Sequence, residues 1–178
     1  MVRRQTRALV LFALSSLVAL AACGGSASNS GERAAHGSAR TGPGPAAREV
    51  CEPMVRDSVP SAIGLPVVSA PISAVRGDTF SCRYEFEGGA LEMSVRDLHT
   101  RPKANEYFRG ARSREGVNDA LSGLAEGGFT KSDGSVVAIK DAMVLTVDVT
   151  ALPPTRVDKT GIAIDLAATV LGCWTGGS

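Results

Sequence analysis

"TFSCRYEFEGGALEMSVRDL", Thr79 to Leu98, decides how this chain folds. Phe80, Cys82, Tyr84 and Phe86 alternate with Ser81, Arg83 and Glu85, and a period of two with polar partners predicts a strand covered on one face. "EGG" at Glu87 to Gly89 is a turn signal, after which Leu91, Met93 and Val95 resume the alternation. The stretch therefore reads as a hairpin. Just beyond it, Pro102 suits the first turn of a helix, and Ala104, Tyr107, Phe108 and Ala111 recur at helical spacing.

Further along, the same order of elements returns. "GSVVAIKDAMVLTVDVTALPP", Gly134 to Pro154, predicts a second strand pair turning at Lys140 and Asp141. "TRVDKTGIAIDLAATVLGCW" then predicts a helix with Val157, Ile162, Leu166 and Val170 on one side. A shift of 52 residues lays Ala90 on Ala142, Ser94 on Thr146, Val95 on Val147 and Pro102 on Pro154. The expected fold class is thus α+β: one antiparallel sheet from two hairpin-plus-helix halves, with both helices packed on its apolar face. A short N-terminal helix is expected in "CEPMVRDSVPSAIG", where Met54, Val55 and Val59 precede a break at Pro60. "PVVSAPISAVRGD" reads as a loop that leaves room for a short edge strand, and "LSGLAEGGFT" as either a structured loop or a short extra strand.

The amino-terminal end has another character. Arg3, Arg4 and Arg7 precede a mostly apolar run from Ala8 to Ala22, the plan of a secretory signal peptide and too short to cross a hydrocarbon core of ~30 Å. Leu20, Ala21, Ala22 and Cys23 resemble the bacterial lipobox, in which the cysteine thiol takes a diacylglycerol before the chain is cut ahead of it. Residues 1–22 are then discarded and Cys23 is the site of lipid attachment. From Gly24 to Ala47 no bulky apolar residue occurs, so residues 23–48 read as the lipidated cysteine and a disordered tether. As a random coil, such a tether would hold the domain on the order of 25 to 30 Å from the membrane. Residues 49–178 form one domain, large enough for its own core.

Losing three arginines turns the formal net charge from +1 to −2. A mildly acidic chain with 4% aromatics gives no reason to expect nucleic acid as a partner.

With Cys23 set aside, Cys51, Cys82 and Cys173 remain, and an exported domain lives where disulfides persist. A bond from Cys51 to Cys82 would pin the N-terminal helix to the sheet, and closing about 30 residues stabilises by ~3–4 kcal/mol on the loop-entropy estimate. Cys173 is then a buried thiol, the partner of Cys51 or Cys82 instead, or a handle for a second chain. A redox role is disfavoured, since no CxxC motif occurs.

A lipobox, a low-complexity tether, a cysteine opening a short helix and a second cysteine in an aromatic-flanked strand are together similar to small actinobacterial lipoproteins of an uncharacterised secreted domain family. The likeness covers residues 49 to about 173, and the family's cysteine pair would fall on Cys51 and Cys82. Its C-x-W stretch corresponds here to "CRY" at Cys82 to Tyr84, and its G-L-G-D-A-A-Y loop to "GLAEGGF" at Gly123 to Phe129. Similar layouts occur in extracellular sensor domains of mycobacterial receptor kinases. The resemblance implies an envelope location and, for some members, ligand binding.

Catalytic chemistry needs a nucleophile with its base, paired carboxylates or a metal cluster. The domain's one histidine, His99, follows a strand in "DLHTRP" and reads as a solvated loop residue, with no second ligand at zinc spacing. No GxSxG, phosphate loop or SxxK occurs. The expectation is a protein that is not an enzyme, with no cofactor and no metal, anchored to the membrane by its lipid and binding an envelope ligand or protein, or packing against envelope proteins. The most distinctive charged stretch holds Arg101, Lys103, Arg109 and Arg112, a candidate contact for an anionic surface such as phospholipid heads or a wall polymer.

Overall fold

A computed structural model describes residues 42–115, 117–154 and 158–174. The expected signal peptide, Cys23 and most of the expected tether lie outside the described residues. The described fold starts before the expected boundary at Glu49: a 3-10 helix runs Pro45–Cys51, and Ala47 and Val50 within it are fully buried.

After this 3-10 helix come α1 (Pro53–Ile63), strands β1 (Ile72–Arg76), β2 (Thr79–Phe86) and β3 (Gly89–Asp97), and helix α2 (Arg101–Arg114). Four strands follow, β4 (Val117–Leu121), β5 (Gly127–Lys131), β6 (Val136–Lys140) and β7 (Met143–Asp148), and then α3 (Lys159–Cys173). The seven strands make one antiparallel sheet in the order β1-β2-β3-β7-β6-β5-β4. The α+β class and the two expected hairpins, β2–β3 and β6–β7, are present. "PISAVR" supplies an edge strand, and the glycine-rich connection opens into β4 and β5 rather than a loop.

Pro60 does not end α1 but sits inside it. Its missing N–H forfeits one helical hydrogen bond. Burial of Val55, Val59 and Ile63 on one side holds the helix through that gap, and Gly64, in the left-handed region, closes it by donating to the Pro60 carbonyl.

The helices do not share one side of the sheet. Phe80, Cys82, Tyr84, Met93, Val95, Val136, Ala138, Leu145 and Val147 point to a core with the 3-10 helix, α1 and α3. Val137, Ile139, Val144 and Phe129 point the opposite way, into a second cluster with Ala104 and Ala111 of α2. The expectation of both helices on one face is therefore corrected: α2 crosses beneath the sheet, carrying the chain from β3 to the far edge at β4. Physically, α3 is apolar nearly all round and buries six residues, whereas α2 offers only a narrow strip of two buried alanines with Tyr107 and Phe108 half-buried. The first side is filled by the stickier helices, and the polar one takes the other.

The proposed repeat splits along the same line. Ser94 and Thr146, matched by the 52-residue shift, face each other across β3 and β7, so the strands are arranged symmetrically about that pair. A two-fold axis through it would keep both helices on one side, so the symmetry stops at the strands. Gly89 also has a reason beyond the turn: a Cβ there would collide with the Ala151 carbonyl.

Candidate functional site

Cys51 and Cys82 form a disulfide, with Cα atoms 5.5 Å apart. It joins the end of the 3-10 helix to the middle of β2, and Tyr84 adds a second tie by donating from its hydroxyl to the Val50 carbonyl at 2.6 Å. Tyr84 is fully buried, and that burial pushes its phenol far above the ordinary range. Burial, followed by the charge of Glu52, likewise raises Glu49. Cys173 is outside any disulfide; its Sγ lies 3.1 Å from Met54 Sδ of α1.

His99 is exposed in the loop after β3, in keeping with its reading as a solvated loop residue, and it meets two carboxylates there. With φ at 63°, its N–H donates to Asp97 Oδ1 at 2.8 Å, and its Nε2 lies 3.2 Å from Asp78 Oδ1. Asp97 Oδ2 meanwhile accepts from Gly44 N at 2.9 Å. The cluster ties the chain's entry point, the β1–β2 turn and the end of β3 together. Among the described residues no group of three or more His, Cys, Asp or Glu side chains could hold a metal ion.

Of the four basic residues singled out on α2, the structure brings Arg101 and Arg109 to one shallow hollow of about 520 Å³, shared with Pro102 and Asn105. At 100° per residue Arg112 falls on that same flank, while Lys103 falls on the other. Arg101 is held by Asp141 at 2.8 Å and Glu126 at 3.1 Å. Arg109 Nε donates to the Asn105 carbonyl at 3.3 Å, and Lys103, Arg109 and Arg112 are exposed.

The outer side of β1–β3 presents none of the residues expected from the sequence to form a site. Because α2 covers only the β5–β7 half, this part of the sheet is open among the described residues and forms a groove of about 460 Å³. The register sorts its side chains into rows. One end carries Arg76, Thr79 and Arg96; the middle carries Ala74, Ser81, Ser94 and Thr146; the other end carries Ile72, Arg83, Glu92 and Asp148. At about 3.3 Å per residue the two outer rows stand ~13 Å apart. Arg96 stacks on Tyr107 of α2, 4.6 Å from the ring centroid, which joins the basic end of the groove to the helix. Arg83 donates to Glu85 at 2.6 Å, and that bond, then the charges of its acidic neighbours, raises its already high pKa.

What this surface offers chemically is a hydroxyl-lined floor between a basic end and a mixed, mainly acidic end. It suits a polar ligand with charge at both extremities. The signal was present in "TFSCRYEF" all along: its polar positions are Thr79, Ser81, Arg83 and Glu85, hydroxyls passing to charges in order.

Comparison with known protein families, with curated proteins and with solved structures finds no match to this chain.

Proposed function

We propose that the chain is a lipid-anchored envelope protein that binds a polar ligand on the open side of β1–β3. Residues 1–22 direct export, Cys23 takes the lipid, and the α+β domain stands on the outer side of the membrane without catalysing a reaction. Membership of the actinobacterial lipoprotein family belongs to the same proposal. The carrying observation for binding is the uncovered groove with its graded rows; the ending Leu20-Ala21-Ala22-Cys23 after a basic, apolar start carries the anchor. No helix among the described residues is long and apolar enough to cross a membrane.

A second reading, packing against another envelope protein, is favoured by the edge at β1, where Val68, Ile72 and Val75 are each more than half exposed.

Two measurements test the proposal. Mass spectrometry of the mature protein is expected to find an acylated amino-terminal Cys23, and Cys23→Ala to release the protein from the membrane; an unmodified chain starting elsewhere refutes the anchor. A photo-crosslinking residue at Ser81, in the groove, is expected to capture a small envelope molecule that the same probe at Asp165 on α3 does not. Equal yields at both positions would refute the groove.

A further inference from the structure

The charge of the folded chain is unevenly placed. Between Arg101 and Glu115 five basic side chains face two acidic ones, while the rest of residues 42–178 holds nine basic and fifteen acidic. Two of these seven charges, at the two ends of the stretch, are already satisfied: Arg101 by Asp141 and Glu126, and Glu115, just past α2, by Lys131 at 3.0 Å. Lys103, Arg109, Arg112 and Arg114 are exposed, and among the described residues none has an ion-pair partner. Only Glu106 stands among them. Among the described residues, an otherwise acidic domain thus presents on one helix four cations without an ion-pair partner.

The side chains that α2 buries, Ala104 and Ala111, fix which way it faces. Its crest is near Glu106, Arg109 and Ser113, with Arg112 on one flank and Lys103 and Arg114 on the other. Long basic side chains on both flanks can reach forward around such a crest. The chain's point of entry lies close by: Gly44 is bonded to Asp97, four residues before Arg101. Eighteen residues lie between Cys23 and Gly42, so even a fully extended connection spans at most ~65 Å.

We infer that the outer face of α2 rests on the anionic headgroups of the membrane to which the chain is anchored. The membrane-side placement rests on the lipid-anchor proposal; the affinity for an anionic bilayer does not. Charge complementarity selects this occupant, since each Lys or Arg at a negatively charged leaflet strengthens binding about fivefold. The anchor keeps the surface within reach, so a weak individual contact is enough. Because α2 and the open groove lie on the same side of the sheet, docking turns the groove toward the leaflet. A ligand taken from the headgroup layer then has the shortest path into it.

The test uses the chain from residue 23 onward with Cys23→Ser, which carries no lipid, and vesicles of phosphatidylglycerol and phosphatidylcholine or of phosphatidylcholine alone. Co-sedimentation with the anionic vesicles is expected, weakening as salt is raised, with no binding to the neutral ones. The triple change Lys103→Glu, Arg109→Glu, Arg112→Glu is expected to weaken it roughly a hundredfold or more, at about fivefold per lost cation. Circular dichroism melting of this variant is expected to match the parent, because all three sites are exposed. Glu106→Lys, which adds to the patch, is expected to strengthen binding and keeps the test decisive if the triple variant fails to fold. Equal binding to both vesicle types, an unchanged triple variant, or retention only on an anionic polymer such as dextran sulfate overturns the inference. Vesicle binding alongside an unacylated Cys23 refutes the anchor and leaves the docking face standing; an acylated Cys23 without vesicle binding does the reverse.

Discussion

The hairpins β2–β3 and β6–β7 pair their strands in the same way, yet one has a free side and the other has none. In β2 buried and half-exposed residues alternate, whereas in β6 four consecutive residues, Val136 to Ile139, are buried. One row crosses both. It runs Ala74, Ser81, Ser94, Thr146, Val137, Phe129, from small and hydroxyl side chains in the open to apolar ones beneath α2. Continuous apolar sequence marks the half of a sheet that is roofed on both sides, and alternation the half that is not.

The sharpest way to break this contrast is to place the same charge at two points on the row. Val137→Asp buries an unpaired carboxylate against Ala104 and Phe129 and is expected to cost about 4 kcal/mol or more in urea unfolding. Ser81→Asp, in the open groove, is expected to stay within about 0.5 kcal/mol. Comparable losses at both positions would mean that α2 does not divide the sheet as described.

Next in size is the staple that makes β2 special. Replacing Cys51 and Cys82 together by serine is expected to cost ~3–4 kcal/mol for the opened loop, read as a lower denaturation midpoint that reductant no longer shifts. Tyr84→Phe, beside it, leaves the Val50 carbonyl without its donor and is expected to cost ~1–2 kcal/mol. Its pH behaviour follows from burial. Because the folded state raises the Tyr84 pKa, the contribution is complete below the ordinary phenol value of about 10 and is lost as pH rises beyond it. Tyr84→Phe is therefore expected to flatten the alkaline limb of the stability profile.

On the other hairpin the smallest effect is at the end of β6. Lys140 donates to the Leu171 carbonyl at 2.8 Å and to the Trp174 carbonyl, placing a cation at the C-terminus of α3. Lys140→Met is expected to cost about 1 kcal/mol, with salt weakening the parent more than the variant. A salt-independent difference would assign the loss to packing instead.

Much of this was legible because the signals are local. Alternation at Phe80 to Phe86, the "EGG" turn and the apolar stripe of Ile162, Leu166 and Val170 each report a nearby geometry. The side chosen by α2 was not legible from α2 itself, since Ala104, Tyr107, Phe108 and Ala111 pack equally well against either side of a sheet. The information lay in "VVAI" at Val136 to Ile139, an unbroken apolar run that only makes sense if something covers both faces. Strand β4 was hidden for another reason: it pairs only with β5, with a register shift between Val117 and Ala120, so its pattern is too short to repeat. The groove was missed because its residues are polar in the ordinary way of an exposed strand face. Only the register shows that hydroxyls gather in one row and charges in the rows at either end.

The bond between Cys51 and Cys82 also determines where a mechanical pull would go. Tension applied at the amino-terminal end enters at Gly44, passes along Pro45 to Cys51, and crosses the sulfurs directly into β2. The 30 residues between the two cysteines, with all of α1 and β1, are bypassed and carry no load. From β2 the strain spreads sideways through the ladder to β3, so strands would have to shear together rather than peel one at a time. The crosslink thus sends a pull at that end straight into the sheet.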